Sequence, residues 1–405
     1  MNKWNIFFGS FFCVVIFCQG LLTQSPICGF QWQLDKQAGL DSAVFQRLSE
    51  VNQVLEETTR AHRSNFFPRK EIIIPVVIHV VWNIPEENVS DDIILSQMET
   101  LNRDFNGEND DLSNVPNEFQ AFIAAKGIRF CLAAEDPQGL PTSGIVRVKT
   151  DVEAIGTKDE LFFSALGGSD AWNPNKYLNI WVANTGEFIT GFGTFPEQVE
   201  AEKQGVVVHP KYFGENNSKN YYLGRVAVHE IGHYFGLYHI WDNNLNCDTD
   251  DGVQDTPLQQ HAYEGCPVYP QSSCGSMDMF MNFMDYVDDS CMLMFTQGQM
   301  ERMVQTIEIF RPSLMEPEVS CVKVAENELN NDFVIYPNPT KDELLINFQI
   351  SIAEVGTLQI YNSIGQLVYE YKGVIRNKMR INLPELNGGI YFIKIGRKVA
   401  ILILS

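Results

Sequence analysis

Residues 229–239 read H-E-I-G-H-Y-F-G-L-Y-H, and this stretch decides how the rest of the chain is read. Side chains four apart on an α-helix share a face, so His229 and His233 present two imidazoles to one point. Glu230 stands beside the first of them, in reach of a water at that point. Gly236 is the residue type that ends a helix in a left-handed turn, which doubles the chain back and delivers His239 as a third ligand. Three nitrogen ligands leave one position of a tetrahedral zinc open, as in catalytic rather than structural sites. Zinc lowers the pKa of a water there to about 7 and polarises a carbonyl, while Glu230 takes the proton and passes it to the leaving amine. The pattern predicts a zinc-dependent endopeptidase. Three of the seven histidines fall within it; His62, His79, His209 and His261 read as core, rim or surface residues. The competing class is a non-catalytic zinc-containing adhesin or binding module, which would be marked by loss of the general base.

Outward from this stretch the chain alternates between helix and strand patterns. Residues 72–82 are β-branched and almost continuously apolar, as in a buried strand. Ser90 caps a helix with Ile94, Met98, Leu101 and Phe105 on one face, and further strands are expected at 128–133, 178–183 and 205–208. The zinc motif sits on a helix over 223–235. A long irregular segment follows to about Phe295, and Thr296 with Gln299 then forms a capping box for a last helix, stopped by Pro312. Past an acidic linker at 316–332, residues 333–405 alternate like strands between the turn signals Pro337-Asn338-Pro339, Asn362 to Gly365 and Asn387-Gly388-Gly389. The expected fold class is α+β, with a small C-terminal all-β sandwich.

With the long zinc motif stand three further stretches. They are C-D-T-D-D-G-V-Q-D-T-P at 247–257, N-F-M-D-Y-V-D-D-S-C-M at 282–292 and F-T-Q-G-Q-M-E-R-M at 295–303. Together these resemble the metzincins, and among them the pappalysin family. The likeness reaches back weakly to about Ile72, including D-P-Q-G-L-P-T-S-G-I at 136–145. It implies a metzincin-like catalytic domain over 71–315, with Met284 as the Met-turn residue beneath the metal and Tyr286 as a phenol that stabilises the oxyanion. It also implies disulfides Cys247–Cys274 and Cys266–Cys291; the spacing is compatible, although four cysteines allow three pairings. The acid-rich turn from Asp248 to Asp255 reads either as a solvated loop or as a calcium site, and the resemblance favours calcium. Asp251, Thr256 and a backbone carbonyl at Val253 or Gln254 are then the expected ligands. Family members that cut before arginine carry an acid just ahead of the cysteine that follows the Met-turn. Here Ser290 holds that position, with Asp288 and Asp289 adjacent: a one-residue shift of the loop would still present a carboxylate, and a modest preference for arginine or lysine after the cut is expected, the alternative being a shallower neutral pocket of broader taste at Ser290.

The N-terminus has Lys3 and then an apolar run from Ile6 to Cys18, interrupted only by Ser10 and too short to span a bilayer comfortably. This reads as a secretory signal over 1–20, the bland alternative being an uncleaved anchor. Residues 21–70 read as a propeptide with weak helical character at Phe45, Leu48, Val51 and Leu55, turning basic from Arg60 to Lys70 where proteases nick chains. Removal of the signal leaves seven of nine cysteines, an odd number. Cys28 is thus either a structural cysteine paired with Cys131 or Cys321, or a thiolate in the open zinc position that keeps a zymogen latent. The C-terminal segment resembles the sorting domains of the type IX secretion machinery of Gram-negative bacteria, through Y-P-N-P-T at 336–340, I-Y-N-S-I-G-Q at 360–366 and L-N-G-G-I-Y-F-I-K-I at 386–395. The resemblance implies a secreted or cell-surface product. With 51 acidic against 29 basic residues, a net charge of −22 repels phosphate backbones, so nucleic acid is excluded as the expected partner and protein or peptide substrates are favoured. No later segment reads as transmembrane.

Overall fold

The computed structural model describes residues 27–61, 71–241, 246–315, 319–321 and most of 323–404. The secretory signal expected at 1–20 and the basic residues at 62–70 lie outside the described residues.

The β-branched run forms strand β2 (Ile72–Trp82), buried along its length except at Ile73 and partly at Trp82. A strand in the middle of a sheet covered on both faces has no polar side to show, hence the continuous apolar run. Strands β3 (Ile128–Leu132) and β4 (Ile145–Lys149) pair end to end along one edge of β2, and β5 (Leu178–Ala183) along the other, all parallel. Strand β7 (Val206–Val208) continues parallel to β5, β6 (Ile189–Gly193) runs antiparallel to β7, and the short β1 (Ile27–Cys28) adds in parallel to the outer edge of β6.

Alternate residues of β2 serve two cores. Ile74, Val76, Ile78 and Val80 meet helices α3 (Asp91–Asp104), α4 (Arg225–Tyr234) and α5 (Gln297–Phe310). Val81 faces Leu161, Phe162 and Trp181 on the opposite side. His79 is buried on that second face, stacked on Trp181 and hydrogen-bonded to Ser169 and Asn179, and burial pushes its pKa down to about 4. It is a core residue. Helix α3 begins on the Ser90 cap, and α5 on the reciprocal Thr296–Gln299 capping box.

The N-terminal segment forms two helices, α1 (Phe30–Leu40) and α2 (Val44–Ala61). The buried stripe of α2 is Val44, Leu48, Val51 and Leu55, whereas Phe45 is exposed. The stripe thus starts at Val44 and not, as the sequence suggests, at Phe45: i, i+4, i+7 and i+11 counted from Val44 keep one face inward. Beyond the catalytic region, β9 (Phe333–Tyr336), β10 (Glu343–Phe348) and β13 (Lys378–Asn382) form a three-stranded sheet. A second sheet holds β8 (Lys323–Val324), β11 (Ala353–Asn362), β12 (Leu367–Arg376), β14 (Gly389–Ile395) and β15 (Lys398–Leu404). Leu344, Ile346, Leu358, Ile360, Ile381 and Ile393 share one core between the two, which makes a β-sandwich. Cys131 of β3 is bonded to Cys321.

Candidate metal centre

Helix α4 carries the first two histidines, and its start is anchored from three places. The buried Arg225 guanidinium bonds Asp104 at 3.0 Å and Asp111 at 2.6 Å, and Asp289 accepts from the backbone N–H groups of Leu223 and Arg225 at 2.7 and 3.3 Å. At its end Gly236 adopts φ +86°, with Gly236 N–H bonded to the His233 carbonyl and Leu237 N–H to that of Gly232. A side chain there would be strained by the backbone and would meet Thr306 at 2.6 Å. The chain thus reverses and returns His239 to the helix.

The three imidazoles converge. His229 Nδ1 bonds the Phe283 carbonyl and His233 Nδ1 the Leu237 carbonyl, each at 2.7 Å, which turns both Nε2 atoms inward. His233 Nε2 lies 3.1 Å from His239 Nε2, and the His239 ring stacks on Trp241 at 4.1 Å. Met284 is fully buried beneath α4; a Cβ on Gly232 would lie 2.5 Å from its sulfur, so only glycine admits it there. The Tyr286 ring stands 4.9 Å from His239 and 5.9 Å from His229. From the opposite side β1 brings the Cys28 sulfur to 3.5 Å from Glu230 Oε2 and 3.6 Å from His233 Nε2. The ligating atoms of Cys28, His229, His233 and His239 all lie within 4.8 Å of one another.

Burial pushes His229 down to about 4 and lowers His233 and His239 as well, neighbouring imidazoles adding to the effect, so all three keep free lone pairs at neutral pH. It pushes Glu230 up to about 8 and raises Cys28, whose thiol also feels the Glu230 charge. No lysine or arginine contributes to either shift. His229 Nε2 and Glu230 Oε1 are buried without a hydrogen-bond partner among the described residues. Two buried acids, three neutral imidazoles and an orphaned ring nitrogen fit a divalent cation of the zinc type, which satisfies the nitrogen and offsets the acids.

Comparison with known proteins bears on the same residues. Residues 167–308 match the family described as Pregnancy-associated plasma protein-A, and residues 334–402 match the Secretion system C-terminal sorting domain. An "Extracellular metalloprotease" of Arthroderma gypseum is 30% identical over 266 residues, spanning 63% of this chain and 78% of its own. Mature mirolysin of Tannerella forsythia, solved with a cleaved peptide, is 41% identical and superposes with a TM-score of 0.57 over 62% of this chain and all of its own. The chain belongs to the pappalysin family of metalloproteases. A mutant of Tannerella forsythia promirolysin matches more, with 37% identity and a TM-score of 0.65 over 72% of this chain and 97% of its own. The protease is thus a metalloendopeptidase with a type IX secretion sorting tail, a secreted or surface-attached product, and no helix among its described residues is long and apolar enough to cross a membrane.

Around the centre, the remaining residues singled out by sequence fall as follows. Cys247 is bonded to Cys274 and Cys266 to Cys291, and with Cys131 on Cys321, Cys28 is left as a buried free thiol. Asp251 is buried, with Oδ1 accepting from Val253 N–H at 3.1 Å and the Thr256 hydroxyl at 2.7 Å, while Oδ2 is unpartnered among the described residues. Thr256 also donates to the Val253 carbonyl, and the Gln254 side chain is exposed. The three residues expected to set cleavage preference sit in different surroundings. Asp289 is fully buried, its carboxylate committed to the start of α4. Asp288 is half-buried beside Lys219 and Asn220, and Ser290 is exposed next to the Cys266 sulfur. The small pocket beside Glu230 is lined instead by Thr190, Tyr221, Val226, Asp285 and Met292. Asp285 there already accepts from Tyr263 N–H, Tyr286 N–H and the Gln259 amide. Of the two expected carboxylates, Asp289 is thus committed to the helix start, whereas Asp288 stays partly exposed near Tyr221 of this pocket.

Proposed function

We propose that the protein is a latent zymogen of a zinc endopeptidase in which His229, His233 and His239 hold the metal and Glu230 is the general base. The convergence of three imidazoles and the Cys28 sulfur within 4.8 Å carries this reading. A zinc ion bound there supplies Lewis-acid polarisation of the scissile carbonyl and acidifies a water. Glu230 would take the proton of the attacking water and deliver it to the leaving nitrogen. Tyr286, flanking His229 and His239, donates its phenol hydrogen bond to the oxygen of the tetrahedral intermediate. Met284 holds the floor beneath the ligands.

Latency follows from β1. Cys28 takes the position that water needs, and Gly29 N–H bonds the Gly191 carbonyl at 2.7 Å along β6, the edge a substrate strand would use. The proposed organisation is a signal over 1–20, a propeptide over 21–70, the catalytic domain over 71–315, a linker over 316–332 and the sorting domain over 333–405. Calcium is a further proposed cofactor, with Asp251, Thr256 and a backbone carbonyl at Val253 or Gln254 as ligands: Asp251, the Val253 carbonyl and Thr256 gather in one turn, and the unpartnered Asp251 oxygen supports a hard cation there.

Full-length protein, purified and allowed to mature, is to be assayed for metal content by mass spectrometry and for cleavage of a mixed peptide library. One zinc per chain is expected, with cleavage abolished by a chelator and restored by zinc. Cleavage that persists in the metal-free protein would overturn the reading.

A further inference from the structure

The residue after Cys28-Gly29 has no part in the chemistry above. Phe30 is the first residue of α1 and only 4% exposed. Its ring lies flat on the His233 imidazole, with centroids 4.3 Å apart and planes 12° from parallel. Phe195 stands 5.1 Å away, Tyr238 meets it edge-on at 6.3 Å, and His239 edge-on at 5.9 Å. Phe195 and Tyr238 also pack on one another at 4.6 Å. Four rings of the catalytic region thus form a box, and Phe30 fills it.

Two facts of placement give the box a use once the N-terminal segment has gone. Phe195 lies just past β6, on whose edge Ile27 and Cys28 are paired to Ile189 and Gly191. A peptide bound on that edge therefore runs over the same surface. The pocket with Tyr221 and Met292 is lined by Ile27, while the box holds Phe30, so along the bound segment the two recesses take residues on either side of Cys28. A scissile bond at the metal would have one recess on each side.

We infer that the box formed by Phe195, His233, Tyr238 and His239 is a substrate subsite for an aromatic side chain near the scissile bond, on the side away from the Tyr221 pocket, and that Phe30 occupies it in the precursor as a stand-in. Flat rings suit it: a phenyl group gains the stacked face of His233 and the edges of Tyr238 and His239, contacts that an alanine methyl does not reach. The difference between filling and leaving such a recess is at least about tenfold in kcat/KM. This inference rests on the metal-site and zymogen reading given above.

The matured, otherwise unmodified protein is to be given a random peptide library and the cut sites mapped by mass spectrometry. Phe, Tyr or Trp should be enriched at one fixed position confined to one side of the cut. A matched pair of peptides differing only by Phe or Ala at that position should differ about tenfold or more in kcat/KM, chiefly through KM. Phe195→Ala should bring the ratio of the two peptides close to one, and Tyr238→Ala, a second variant in case the first misfolds, should lower it as well. Chelator-sensitive cleavage with no aromatic bias in the unmodified protein would overturn this inference alone, as would a bias unchanged in both variants. Absence of chelator-sensitive cleavage would overturn the metal reading and this inference with it.

Discussion

Glu230 shares its burial with the Cys28 thiol on one side and the N–H of Gly193 on the other, and the proton chemistry proposed here needs its carboxylate alone. Glu230→Ala should therefore retain zinc and thermal stability while kcat falls by about two to four orders of magnitude, the usual contribution of a positioned base. Metal analysis and single-turnover kinetics on the same preparation check this; residual turnover within tenfold of the parent would exclude Glu230 as the base. Arg225 shows the opposite kind of residue, fully buried and away from the metal. Its guanidinium pairs with the buried Asp104, which otherwise has only the longer contact to Arg103 at 3.4 Å, and with the partly exposed Asp111, so Arg225→Met would cost roughly 3–5 kcal/mol, chiefly at Asp104. A melting temperature within a degree or two of the parent would contradict that role.

Among the elements, the acidic turn lends itself to a pH experiment. Burial pushes Asp251 up to about 7, far above the usual carboxylate near 3.9 in an unfolded chain. The cation-free fold thus holds a proton that the unfolded chain releases, and its stability falls as pH rises from about 4 through 7. Calcium reverses the sign by favouring the ionised carboxylate, so binding at pH 6 should expel close to one proton. Calorimetry in buffers of different ionisation enthalpy measures this, and Asp251→Asn should abolish the release. A binding heat that does not vary with buffer would count against Asp251 as a ligand. The elements also show what the sequence made legible. The helix of the zinc motif, its glycine turn and both side-chain caps were readable because each depends on contacts within a few residues. Strand β4, I-V-R-V-K, is β-branched but only five residues long and half-exposed, and β6, I-T-G-F-G, is broken by two glycines; the pairing of both is decided by distant neighbours. For the same reason Trp241 behind His239 and Phe30 over His233 passed unnoticed: nothing local marks an aromatic residue as facing a metal site. Asp289 was misjudged because proximity in sequence to a pocket says nothing about which way a carboxylate turns.

At the scale of the molecule, the N-terminal segment holds the catalytic region through many contacts, among them Lys36 on Asp159 and Thr59 on Gln305, and two of them touch the zinc-motif region from separate places. One is Cys28 at the metal centre. The other is Asn52 of α2, whose amide donates to the Tyr238 hydroxyl at 3.1 Å and accepts from the buried Arg302, itself bonded to the Gly236 carbonyl. Cys28→Ala should speed maturation by freeing the first grip while leaving the second. Asn52→Ala should do so more weakly, and the double variant should exceed either, as monitored by gel time courses from purified precursor. Equal rates for Cys28→Ala and the parent would remove the cysteine from the latency mechanism.

The pairing of β1 with β6 also bears on the life of the chain before any catalysis. Strand β6 would otherwise end the sheet with open N–H and C=O groups flanked by Phe188 and Phe192, the type of border along which unrelated copies zip together. Two residues, Ile27 and Cys28, cap that border from within. A chain bearing a sorting tail must travel before it works, and during transit it meets many copies of itself. On the zymogen reading proposed above, the N-terminal segment would cover this border as well as the metal centre. Protein made without residues 27–61 should consequently self-associate in proportion to its concentration even when Glu230 is replaced and self-digestion cannot occur.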